Sequence, residues 1–85
     1  MAKNKLVLSV VVNGQSTEVE ANVNAPLRTV INKALEQTEN TGQPPENWAL
    51  RNADGKTLDP GIKIEDSGIV EGKVLFLNLK AGVGG

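Results

Sequence analysis

Asn13-Gly14 sits between two stretches in which apolar residues recur at every second position. Upstream, residues 5–12 put Leu6, Leu8, Val10 and Val12 on one face and Lys5, Val7, Ser9 and Val11 on the other. Downstream, residues 16–23 put Val19, Ala21 and Val23 on one face and Glu18, Glu20 and Asn22 on the other. Period-two alternation is the pattern of a half-buried strand, and Asn-Gly readily takes the two positive φ angles of a type I′ turn. The chain is therefore expected to open with an antiparallel hairpin that has one dry face and one wet face.

The next periodicity is helical. Leu27, Val30, Ile31, Ala34 and Leu35 fall at i, i+3, i+4, i+7 and i+8, opposite Arg28, Asn32, Lys33 and Glu36. Asn24 or Ala25 is the expected N-cap, with Pro26 in the first turn, and the helix should run out through residues 39–41 and stop at Gly42. Gln43-Pro44-Pro45 then forces an extended exit. A short third strand is expected near residues 47–52, with Trp48 and Leu50 facing one way and Ala49 and Arg51 the other. Ala53-Asp54-Gly55 turns the chain into a brief fourth strand, Lys56-Thr57-Leu58, and Asp59-Pro60-Gly61 fits a type II turn. A fifth strand places Leu75, Leu77 and Leu79 on one face and Val74, Phe76, Asn78 and Lys80 on the other. To be buried, this last strand should enter the middle of the sheet, parallel to the first, with the helix across one face. That arrangement is an α+β fold of the β-grasp type: ββαβββ order, one helix on a mixed sheet of about five strands. Residues 1–80 form the expected domain and residues 81–85 a flexible tail.

Composition excludes several classes of function. The chain of 85 residues has no cysteine and no histidine, so it lacks thiolates, the commonest metal ligand and the usual general base near neutral pH. Its formal net charge of −1 is not the footprint of a nucleic-acid binder. The apolar run at residues 6–12 follows Lys3 and Lys5 as in a secretory leader, but it is short, contains Ser9 and leads into a tight turn, so it reads as a strand. With no apolar run of ~20 residues, no membrane span is expected. The sequence reads as a soluble cytoplasmic protein that is not an enzyme and binds neither metal nor cofactor.

Over nearly its whole length the sequence resembles ubiquitin and the ubiquitin-like modifiers. The resemblance is carried by the helix followed by Gly42-Gln43-Pro44-Pro45, by the Gly55-Lys56 turn and by Leu58-Asp59-Pro60-Gly61. It continues in Ile64-Glu65-Asp66-Ser67-Gly68-Ile69, Leu75-Phe76-Leu77 and Gly84-Gly85. Three departures stand out. Arg51 falls near the exposed isoleucine of ubiquitin's receptor patch, Lys80-Ala81-Gly82-Val83 replaces the arginine-rich approach to the diglycine, and one residue is inserted in the Ala53-Asp54-Gly55 turn. The chain looks more like small bacterial ubiquitin-like proteins encoded beside dedicated activating and conjugating enzymes and a JAB-type metallopeptidase.

The resemblance implies an acyl donor. A glycine carboxylate is a poor electrophile, so a partner must activate it with ATP and carry it as a thioester on a cysteine before transfer to a target protein's amine. The chain supplies no catalytic residue. Gly84 and Gly85 supply the carboxylate and a backbone without Cβ that can thread a narrow cleft, and Lys80, Ala81, Gly82 and Val83 supply what the handling enzymes read. Other readings stay open: a sulfur carrier that ends in a thiocarboxylate, a β-grasp binding module, or a tail that is only a loose end. Val7, Val11, Val74 and Phe76, bordered by Arg51, form either a partner patch or ordinary cross-strand packing. Lys56 is an acceptor for another copy's C-terminus or a solvated turn lysine. Trp48 is expected in the core or at its edge, and Glu65-Asp66 in a turn or helix start.

Overall fold

The computed structural model of the protein describes residues 4–81. Strands β1 (Lys5–Val12) and β2 (Gln15–Asn22) pair antiparallel in one register, from Lys5↔Asn22 to Val12↔Gln15. Asn13 at φ 50° and Gly14 at φ 85° make the expected turn between them. Strand β3 (Trp48–Arg51) pairs antiparallel with β4 (Val74–Leu79), and β4 lies parallel to β1 from Ser9↔Val74 to Val12↔Leu77. The order β2-β1-β4-β3 puts the last strand inside the sheet, beside the first. Helix α1 (Leu27–Gln37) packs its apolar stripe of Leu27, Val30, Ile31, Ala34 and Leu35 against the inner face of the sheet. Leu8, Val10, Val12, Val19, Leu50, Leu75 and Leu77 face it from the strands, and Ile64 fills the side. The fold is α+β and ubiquitin-like.

Four expectations need correction. The sheet has four strands rather than five among the described residues, because Lys56-Thr57-Leu58 makes only one isolated bridge, Thr57 to Arg51. Leu58 still donates its N–H to Leu50 O at 2.8 Å, but Pro60 lies two residues on and has no N–H to extend the ladder. Secondly, Asp59-Pro60-Gly61 is not a type II turn, since Gly61 is not among the glycines with positive φ. Ile62 N–H reaches Asp59 O at 3.2 Å and Gly61 N–H reaches Asp59 Oδ1 at 2.8 Å, so the aspartate side chain stabilises a type I geometry.

The helix boundaries are the other two. Pro26 is itself the N-cap and offers no side-chain acceptor. The free amides of Leu27 and Arg28 instead donate to Ile62 O and Pro60 O, each at 2.9 Å, so a distant turn supplies the cap. At the other end the helix stops at Gln37, before the expected run-out through residues 39–41 to Gly42: Thr38 is the C-cap and Glu39 takes φ 59°. Glu39 N–H bonds Glu36 O at 3.2 Å and Asn40 N–H bonds Leu35 O at 2.8 Å, the pair of bonds of a Schellman ending. A non-glycine residue in this left-handed conformation costs roughly 1–2 kcal/mol. Glu39 is exposed and its carboxylate has no hydrogen bond or ion pair among the described residues. Glu39→Gly is therefore expected to raise the thermal midpoint by about 2–8 °C, the glycine's own entropy loss offsetting part of the gain. A scan of the purified variant against wild type checks it, and a lowered midpoint would contradict the strain.

Both borders of the sheet are partly covered. On β2, Gln37 Nε2 donates to Glu18 O at 2.6 Å and to Thr17 Oγ1 at 2.7 Å, while Lys33 Nζ donates to Glu20 O at 2.7 Å. Lys33 and Gln37 are one helical turn apart, which matches the spacing of alternate strand carbonyls. On β3, Leu58 N–H takes Leu50 O, and Asn52 N–H takes Lys56 O at 3.0 Å.

Candidate functional site

The exit from β4 comes first, because β4 delivers the chain towards its final glycines. Lys80 N–H bonds Asn47 O at 2.8 Å, the most C-terminal backbone bond among the described residues. Lys80 and Ala81 are exposed just beyond the strand. Gly82, Val83, Gly84 and Gly85, assigned above to recognition and acyl donation, lie outside the described residues.

The outer face of the sheet carries the second set of predicted residues. Strand pairing sets Val11, Phe76 and Arg51 side by side on β1, β4 and β3, with Val74 opposite Ser9 in the neighbouring row. Val7, Val74 and Phe76 are 36 %, 39 % and 37 % exposed, and Val11 is half-buried. Scattered exposed apolar residues are ordinary, but Val11 and Phe76 are directly paired and Val74 precedes Phe76 on the same face of β4, with Val7 further along β1. Arg51 Nε donates to Thr57 Oγ1 at 3.4 Å, which ties the guanidinium to the β3 border of the row. The face thus offers an apolar strip with a cation at one side. Lys56 is not part of it: it lies exposed in the turn after β3, where Asn52 Oδ1 accepts the N–H groups of Asp54 and Lys56 at 2.9 and 3.0 Å. Gly55 completes that turn at φ 85°.

Sequence reasoning missed a groove on the opposite side of the molecule. One hollow of about 370 Å³ is lined by Arg28, Ile31, Asn32, Trp48, Pro60 and Lys80, together with Pro45 and Glu46. A second, of about 300 Å³, shares Asn32 and Pro45 with it and continues along Leu35, Glu36 and Thr41. Trp48 is buried, as expected, but its indole N–H has no acceptor. Leaving such a donor unmet costs about 1–3 kcal/mol. The signal that pointed here was the lone tryptophan beside Pro44-Pro45.

Among the described residues no cluster of acidic side chains is arranged to hold a metal ion, and no helix is long and apolar enough to cross a membrane. Glu65 and Asp66 lie in a 3₁₀ turn, Ile64–Asp66, whose only buried residue is Ile64.

Similar structures share the fold. A de novo design based on ubiquitin matches with a TM-score of 0.80 at 24 % identity over 99 % of each chain. The ubiquitin of Caldiarchaeum subterraneum matches with a TM-score of 0.74 at 22 % identity, covering 94 % of this chain and 99 % of that one. A protein described under molecular mimicry of SUMO in DNA repair matches with a TM-score of 0.77 at 10 % identity, over 91 % and 94 % of the two chains. At these identities the likeness is one of fold. In sequence, the uncharacterized protein y4jI of Sinorhizobium fredii (strain NBRC 101917 / NGR234) is 53 % identical over 81 residues, which are 95 % of this chain. The chain spans 62 % of the length of that relative. The match to a family model runs over residues 1–85, so the chain belongs to the family described as Protein of Unknown function (DUF2604).

Proposed function

We propose that the protein is a ubiquitin-like modifier that donates its Gly85 carboxylate to amines on target proteins. The observation that carries this reading is the placement of β4: an interior strand, held on both sides, leads directly into exposed Lys80 and Ala81, four residues before Gly85. A ubiquitin-like body in front of Gly84-Gly85 supports it. The chemistry belongs to the partners. The carboxylate attacks the α-phosphate of ATP and pyrophosphate leaves; a partner thiolate then displaces AMP from the acyl-adenylate; finally a target amine displaces the thiol and forms the amide. The reading requires a free carboxylate at Gly85, and a JAB-type peptidase supplies it wherever further residues follow. Lys80 and Ala81 stand where an activating enzyme meets the body, and the Val11–Phe76–Arg51 row with Val7 and Val74 offers conjugating enzymes and receptors an apolar surface. Lys56, exposed and outside that row, is available as an acceptor for a further copy.

Intact mass after incubation with the cognate activating enzyme and ATP tests the reading. A covalent adduct on the enzyme that a thiol reductant releases, followed by a reductant-stable adduct on a lysine, is the expected result. Replacement of one carboxylate oxygen by sulfur, once a sulfur donor is added, would make the protein a sulfur carrier instead. No adduct of either kind would leave a binding module.

A further inference from the structure

The groove beside α1 shares Lys80 with the approach to the tail, but the rest of its lining has no part in the tail chemistry. Its two hollows are neighbours that share Asn32 and Pro45 as lining and together follow the helix from Arg28 to Glu36. The eight helical rises between them, at about 1.5 Å each, span about 12 Å, the length of three or four residues of extended chain at about 3.3 Å each. The floor is apolar, made by Ile31, Leu35 and Trp48, all nearly buried. At one end Arg28 and Lys80 stand against a single carboxylate, Glu46, so this end carries a net positive charge. Neither side chain forms an ion pair or hydrogen bond among the described residues. The other end is lined by Glu36.

An elongated, apolar-floored slot with cations at one end is not shaped for a compact anion such as phosphate, which would leave most of its length empty. We propose that the groove binds an extended peptide segment of a partner protein, three or four residues long. An acidic side chain would lie at the Arg28–Lys80 end and apolar side chains against Ile31, Leu35 and Trp48. The carboxylate takes charge-assisted hydrogen bonds from the two cations. Glu36 sets the direction, since an acidic residue at that end would be repelled. The peptide also lies over Trp48, the buried tryptophan of the wall. None of this depends on Gly85 or on conjugation.

Trp48 is the only tryptophan in the chain, so its fluorescence reports directly on the groove. The probe is a tetrapeptide of two leucines followed by two glutamates, acetylated and amidated at its ends, titrated into the full chain. A saturable change in emission is expected, with amide shifts mapping to α1 and residues 40–48. In the double variant Arg28→Glu, Lys80→Glu the dissociation constant is expected to rise by about tenfold or more, because attraction becomes repulsion. The charge-retaining double variant R28K, K80R should bind nearly as wild type, which separates lost charge from lost folding. The proposal is overturned if no saturable change occurs, or if a peptide with lysines in place of glutamates binds equally well. Shifts centred on the outer face of the sheet would overturn it too.

Discussion

Replacing Leu77 by alanine is expected to lower the thermal midpoint by about 10–30 °C. Leu77 is fully buried in β4, opposite Val12 on one side and Leu50 on the other, so its side chain is held between two strands beneath α1. Truncating a buried leucine costs about 2–5 kcal/mol, the lost transfer energy plus the cavity left behind. A chain of this size has a total stability of roughly 4–13 kcal/mol, so the loss is a large share of the whole. Each kcal/mol moves the midpoint by about 4–8 °C in a domain this small. The control is the next residue. Asn78 faces out, and its one described side-chain contact, to Asn13 Oδ1, is long at 3.4 Å. Asn78→Ala should therefore stay within about 0.5 kcal/mol of wild type. Equal effects at the two positions would mean that the register of β4 is wrong.

Removing Gly84 and Gly85 should do the reverse: no change in stability and complete loss of the thioester adduct. The most C-terminal backbone bond described is that of Lys80, and the two glycines lie beyond it, outside the described residues. Their removal leaves Val83 to carry the carboxylate, a β-branched residue stiff at χ1 where the proposed transfer calls for bare backbone. Circular dichroism melts and the intact-mass assay, run on the same preparation, separate the two effects. An adduct of undiminished yield would end the carboxylate reading and leave a binding module. A lowered midpoint would show that the glycines pack against the body.

Much of the fold could be read from local signals. Asn13-Gly14 set the first hairpin, and the stripe from Leu27 to Leu35 set the helix and the face it buries, because both rest on residues close in sequence. What could not be read depended on distant partners. Helix α1 begins at Leu27 because Pro60 and Ile62 offer their carbonyls there, and no local pattern announces an acceptor more than thirty residues away. Its end was misplaced because Glu39 adopts the conformation usually left to glycine. Lys56-Thr57-Leu58 alternates well enough to be a strand, yet the turn before it and Pro60 after it leave room for a single bridge. The outer-face row was legible from alternation. The groove was not, since Arg28, Trp48 and Lys80 meet only once α1, β3 and the end of β4 are packed together.

Lys33 and Gln37, which tie the helix to β2, have a consequence for crowding. A small sheet with bare borders tends to recruit further strands from its neighbours, and so to form lateral aggregates. If the proposed conjugation places several copies on one target, they would meet at very high local concentration. With the carbonyls of Glu18 and Glu20 already bonded on one border and that of Leu50 on the other, adjacent copies find fewer main-chain acceptors there to zip together. Contacts between neighbours then fall more to side chains, where a single substitution can tune or abolish them.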